Sequence, residues 1–129
     1  METSTRIALR WRDMDMLGHL NQAVYHELLE EGRWQLFTKA ADGTSFPVVL
    51  ARIELDYRAE VRRDHGHVDV LARVGDLGRS SVTVEQEIAL PDGTVAAAGR
   101  SVMVAWDPQQ RCARALNERE RTALWGPGS

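Results

Sequence analysis

Apolar residues recur with a helical period in one stretch of this chain and at every second position around it. That contrast constrains the fold more than any other feature. Tyr25, Leu28, Leu29, Gly32, Leu36 and Ala40 fall at i, i+3, i+4, i+7, i+11 and i+15, one stripe within a segment from Gln22 to Lys39. Glu27, Glu30, Glu31 and Gln35 cover the other side. Asn21 suits the N-cap, since its side-chain oxygen can accept from a free N–H of the first turn, and Asp42-Gly43 supplies a stop. A helix of about 18 residues spans about 27 Å, enough to lie across one sheet.

The segments on either side read as strands. Ile7, Leu9 and Trp11 alternate with Arg6, Arg10 and Arg12, which predicts a strand over 5–12. After the helix, Ala51, Ile53, Leu55, Tyr57, Ala59 and Val61 alternate with Arg52, Glu54, Asp56, Arg58 and Glu60. Further strands follow over 68–74, 81–90 and 95–106, with turns at 63–66, 76–78 and 91–93. Asp107-Pro108 ends the last long strand, and 117–124 reads as a short helix with Asn117 and Glu120 as a capping box. Consecutive strands joined by short turns imply an antiparallel sheet. The expected class is α+β, five antiparallel strands curling around one long helix, in a single domain over 1–129.

The 129 residues, 43% of them hydrophobic, are enough for one core. A net charge of −3 and scattered basic residues give no hint of a nucleic-acid partner. No uncharged apolar run reaches the length of a membrane span, and METSTRIALR has no apolar leader core. Cys112 is the sole cysteine, so no internal disulfide forms, and a cytoplasmic location is the simplest expectation. It has no histidine near it in sequence to make it a nucleophile.

The run Asp13-Met14-Asp15-Met16-Leu17-Gly18-His19-Leu20-Asn21, followed by Tyr25, Glu30 or Glu31, and Arg33, resembles the start of the hot-dog-fold acyl-CoA thioesterases, closest to the 4-hydroxybenzoyl-CoA thioesterase-like group. The match continues in Leu55-Asp56-Tyr57-Arg58-Ala59-Glu60, Leu77-Gly78-Arg79-Ser80-Ser81 and Gly99-Arg100-Ser101-Val102-Met103-Val104. The resemblance implies a helix wrapped by an antiparallel sheet, paired into homodimers and often homotetramers. It also implies hydrolysis of an acyl-CoA to a carboxylic acid and free CoA, with no metal and no cofactor beyond the CoA of the substrate. By the same resemblance Asp15 is the catalytic carboxylate, as nucleophile or general base.

The residues themselves allow that chemistry. A thiolate leaves without strong acid help, so the demanding step is forming the tetrahedral anion. The first amides of a helix lack intrahelical partners and carry partial positive charge, so the N–H groups of Gln22 and Ala23 are candidate oxyanion donors. Gly18 lets the loop fold back towards them. Plant acyl-ACP thioesterases look similar in having a histidine four residues after an aspartate, as Asp15 and His19 are here, but carry an asparagine where this chain has Leu17. His19 either orients water or binds its loop. Glu60 matches a strand position that supplies a carboxylate in some relatives, and it also sits where a solvated charge is ordinary. Asp13 reads as a turn acceptor and Asn21 as a cap rather than a ligand group. Arg62, Arg63 and Arg79 flank turns where CoA phosphates could bind, or are solubilising charges, and Ser80 and Ser81 offer hydroxyls beside them. Tyr25, Leu28, Leu29 and Trp34 either line the pocket or fill the core. His65-Gly66-His67 is weak evidence for a metal. A non-catalytic acyl-thioester binder and an acyl-ACP thioesterase stay open as alternatives.

Overall fold

The computed structural model describes residues 1–125. In chain order the elements are β1 (Glu2–Ala8), α1 (Gln22–Ala41), β2 (Val48–Tyr57), β3 (His67–Leu77), β4 (Ser81–Ala89), β5 (Val95–Asp107), β6 (Cys112–Ala113) and α2 (Glu118–Trp125). Five long antiparallel strands pair in the order β1-β3-β4-β5-β2, and the two-residue β6 adds to β5 as a sixth strand. This is the hot-dog arrangement, α1 lying on one face of a curled sheet.

The apolar stripe of α1 is buried throughout, and Val24, Phe37 and Ala41 widen it. Its N-terminal half packs on Val61, Val68, Val70, Ile88 and Ala97; its C-terminal half packs on Ala72, Val74, Val82, Val84, Met103 and Ala105. Gly32 marks the closest approach. A Cβ there would meet Val70 Cγ1 at 2.7 Å and Gln86 Nε2 at 3.2 Å. The helix ends in the left-handed region at Asp42 (φ 48°), with Gly43 also at positive φ. At α2, Glu120 N–H donates to Asn117 Oδ1 (2.8 Å) and Asn117 N–H to Glu120 Oε1 (3.0 Å), a complete capping box.

Two expectations need correction, and one strand was not expected. β1 spans Glu2–Ala8 rather than 5–12, because the chain turns into a 3-10 segment at Trp11–Asp13, and Trp11 ends 74% exposed. β2 ends at Tyr57 rather than Val61. It is an edge strand that α1 does not cover, so within β2 only Ile53 and Leu55 of the expected apolar face are drawn towards the core, while Ala59 and Val61 reach it from the segment after the strand. The register shift between Leu50 and Arg52 further breaks the alternation. The pairing of β6 follows a tight turn at 107–111 that carries no apolar pattern.

The outer face of the sheet carries one row that crosses all five long strands: Glu2, Arg73, Glu85, Arg100 and Glu54, each directly opposite the next in register. The sign alternates at every step, as cross-strand pairing favours.

Gly32→Ala raises intrinsic helix propensity by about 1 kcal/mol, yet overpacking against Val70 costs about 1–3 kcal/mol. Chemical denaturation should therefore show a net loss, and Val70→Ala in the same chain should recover part of it as a favourable coupling.

Candidate active site

The entrance to α1 is held from two sides. Leu20 N–H donates to Val61 O (2.8 Å) and Asn21 N–H to Asp13 O (2.7 Å). Asp13 is itself 3% exposed and accepts from the Arg10 backbone N–H (2.8 Å) and guanidinium (2.8 Å). Burial alone pushes the Asp13 carboxyl up, but the hydrogen bonds and charge of Arg10, with Arg12, outweigh it and hold the pKa below its ordinary value. Asp13 is thus the turn acceptor its position suggested, and it fixes the segment that follows.

That segment is a tight hairpin. Met14 bridges Leu20, Asp15 N–H donates to His19 O (2.8 Å), and Gly18 N–H donates to Asp15 O (3.1 Å) with Gly18 at φ 78°. Inside it, Asp15 Oδ1 accepts from the amides of Leu17 (2.9 Å) and His19 (3.1 Å). One carboxylate oxygen is tethered. The other, Oδ2, has no protein partner among the described residues.

Asp15 forms a wall shared by two open clefts. One, of about 510 Å³, is lined by His19, Gln22, Tyr25, Tyr57, Arg58 and Glu60. The other, of about 470 Å³, is lined by Trp11, Met14, Met16, Gly18 and Arg63. In the first, His19 Nε2 lies 2.8 Å from Glu60 Oε2. Glu60 Oε1 pairs with Arg62 Nη1 (3.0 Å), and Arg62 Nε with Asp64 Oδ1 (3.0 Å). The Arg62 hydrogen bond, with His19 adding its charge, holds the Glu60 carboxyl below its usual range, so Glu60 stays ionised beside His19. Tyr25 meets Tyr57 edge to face at 4.9 Å between centroids, and burial, then Tyr57, pushes its phenol pKa up.

At the helix start the two candidate donors differ. Ala23 N–H donates to Asn21 Oδ1 (3.1 Å), so Asn21 caps and Ala23 is occupied. Gln22 N–H has no acceptor among the described residues and stays open. The structure therefore brings together Asp15, Gly18, His19, Asn21, Gln22, Tyr25 and Glu60, with Ala23 and Arg63 alongside. The Arg62 guanidinium is engaged by two carboxylates. Arg79, Ser80 and Ser81 lie at the opposite end of the sheet, where Ser81 pairs with Val104 and the carbonyl of Arg79 accepts from Leu116 N–H. Within one protomer they do not reach this site. Tyr57, Arg58 and Trp11 join the lining although their sequence pattern placed them on strands. No group of three or more His, Cys, Asp or Glu side chains is gathered to hold a metal ion among the described residues. No helix among them is long and apolar enough to cross a membrane.

Residues 9–125 match the thioesterase-like superfamily, and the chain belongs to it. It is 29% identical to a predicted thioesterase from Bacillus stearothermophilus, over 99% of this chain and 100% of that one, with a TM-score of 0.87. It is 30% identical to a thioesterase from Thermus thermophilus in complex with coenzyme A and Zn, over 94% of this chain and 90% of that one (TM-score 0.80). A 1,4-dihydroxy-2-naphthoyl-CoA thioesterase from Synechocystis shares the fold at 14% identity, over 96% of each chain (TM-score 0.81). No curated protein matches the sequence.

Asp13→Asn should cost about 1–3 kcal/mol at neutral pH, since it breaks charge-assisted hydrogen bonds. A depressed folded pKa contributes stability above the unfolded carboxylate value of about 3.9 and loses it as pH falls through the folded value. The gap between variant and parent in denaturation midpoints should therefore close below about pH 4.

Proposed function

We propose that this protein is a cytoplasmic acyl-CoA thioesterase with Asp15 as its catalytic carboxylate. The observation that carries the reading is the state of that side chain. Its loop tethers one oxygen and leaves the other free, at the junction of two clefts, one of which Gln22 also lines. The thioester carbonyl carbon sits against Asp15 Oδ2, with the acyl group on the Tyr25–Tyr57 side and the thiol arm on the Trp11–Arg63 side.

Two routes use the same groups. In one, Oδ2 attacks the carbonyl carbon, the C–S bond breaks, thiolate leaves, and water hydrolyses the resulting acyl-aspartyl anhydride. In the other, Oδ2 takes a proton from water as its oxygen adds to the carbonyl carbon; collapse expels thiolate, which is then protonated. Both pass through an anion whose oxygen accepts from Gln22 N–H, and a preorganised donor of this kind is worth about 3 kcal/mol in the barrier. His19, oriented by Glu60, holds water in the acyl cleft. Arg63 takes phosphate of the CoA arm; its guanidinium has no ion pair among the described residues, unlike that of Arg62. The coenzyme A held by the Thermus relative supports CoA as the leaving thiol.

An exposed edge strand beside exposed Val49, Leu50 and Trp34 supports assembly into a homodimer or homotetramer.

Thiol release should be followed across a panel of aliphatic and aromatic acyl-CoAs. Asp15→Asn and Asp15→Ala should lower kcat by at least about 100-fold with the melting temperature near that of the parent. Near-native turnover in both variants removes Asp15 from the chemistry. Binding of acyl-CoA without Asp15-dependent thiol release points instead to a non-catalytic acyl-thioester binder. His19→Ala and Glu60→Gln should each cost less than Asp15→Ala in the same assay.

A further inference from the structure

Contacts around the start of α1 close into a ring. His19 and Arg62 face each other in an antiparallel backbone bridge. From that bridge the Arg62 side chain reaches back: Nη1 donates to Glu60 Oε1 (3.0 Å), and Glu60 Oε2 lies 2.8 Å from His19 Nε2. The path thus returns to the residue where it began. Arg62 is also held on its far side. Its Nε donates to Asp64 Oδ1 (3.0 Å), and its backbone N–H donates to His65 Nδ1 (2.9 Å). The side chains of His19 and Glu60 are each 45% exposed and that of Arg62 48%, so packing alone fixes none of them.

An exposed glutamate samples many rotamers, and holding it in one costs entropy. Arg62 supplies the restraint. With Oε1 taken by the guanidinium, Oε2 is the oxygen that meets the imidazole. A carboxylate oxygen 2.8 Å from Nε2 requires a proton on that nitrogen, since two lone pairs would repel, so the neutral ring carries its hydrogen there. That leaves Nδ1 as the acceptor, on a ring that lines the cleft shared with Asp15. A bare imidazole nitrogen accepts a hydrogen bond from water; one that carries hydrogen does not.

We propose that Arg62 is a positioning residue of the Asp15 site: it clamps Glu60 so that His19 offers a bare Nδ1 to the attacking water. This rests on the reading of Asp15 as the catalytic carboxylate and deepens it. It also parts from a role for Arg62 at the CoA phosphates, because the guanidinium that orients Glu60 is engaged by two acids. The two roles differ in their effect on a thioester that has no phosphate. Exposed pairs contribute little to stability, so loss of Arg62 misplaces the water without unfolding the chain.

The test compares hexanoyl and benzoyl thioesters of CoA with those of N-acetylcysteamine, which keeps the thioester and lacks every phosphate. Arg62→Gln should lower kcat roughly 3- to 10-fold on both thiols with KM near that of the parent. Arg62→Lys, which keeps the charge but not the fork, should recover part of the loss. In a Glu60→Gln background Arg62→Gln should cost less than about 2-fold more, because the clamp has nothing left to orient. A rise in KM confined to the CoA esters overturns the proposal in favour of a phosphate seat. So does an Arg62→Gln effect that Glu60→Gln leaves undiminished. Nitrogen-15 NMR of the His19 ring, assigned by its loss in His19→Ala, reads the tautomer without turnover. The parent should show hydrogen at Nε2, and Arg62→Gln should move the ring towards a mixture of both forms; unchanged ring signals overturn the clamp. If no thioester shows Asp15-dependent turnover, the thioesterase reading fails and the ring signals alone decide. If Arg62→Gln does not fold, Asp64→Asn, which releases the other side of the guanidinium, should give smaller changes of the same sign, and none at all overturns the proposal.

Discussion

Two backbone hydrogen bonds set the position of everything that matters at the site. Leu20 hangs on Val61 and Asn21 on Asp13, so the first turn of α1 is pinned between the segment that follows β2 and the 3-10 turn after β1. Neither anchor is strong alone. Asp13 is rigid because Arg10 grips its carboxylate, and Val61 because it is fully buried among core residues. With both ends held, the seven residues from Met14 to Leu20 have little choice but a closed hairpin. The helix is fixed in turn by the sheet below it, where the missing side chain of Gly32 lets it settle against Val70. The packing of the core and the aim of one carboxylate are therefore parts of a single arrangement.

Much of this was legible in the residues. The stripe on α1, its Asn21 cap, its stop at Asp42-Gly43, and β3 to β5 follow from period and turn chemistry, which are local properties. What local pattern cannot report is where a strand lies in its sheet. Ala51 to Val61 alternate cleanly, yet β2 is at an edge with no helix above most of it, so the alternation outruns the strand and half its apolar face is exposed. Trp11 continues an alternating pattern after the backbone has left the sheet. In the site, Asp15, His19, Gln22 and Tyr25 are neighbours in sequence, and Glu60 reaches them because β2 exits towards the helix start. Tyr57 and Arg58 arrive by the same exit and carry no chemical signature of their own. Arg79 to Ser81 carry one, but the β3–β4 turn points to the far end of the molecule.

The electrostatic character of the two ends of α1 differs. At the start, charge is abundant and mostly matched: Arg10 with Asp13, His19 with Glu60, Arg62 with Glu60 and Asp64. The exposed pairs add little stability, unlike that of buried Asp13, but they hold the loop's side chains in one arrangement. Midway along the helix there is one deeply buried charge, Arg33, held by neutral amide and hydroxyl groups.

The alternating row on the outer face has a consequence for assembly of the sheet itself. A strand that slid by one residue would turn its share of that row inward onto α1, burying a bare ion. Sliding by two would keep it outside but set it against the wrong neighbours: Arg73 would face Thr83 or Glu87 in place of Glu85, and the next pairs would fall out of step. The row thus opposes one-residue slips and some two-residue slips, though Glu87 would still offer Arg73 an acid. The row works as a vernier, penalising misreading during folding even where its contribution to the finished structure is small.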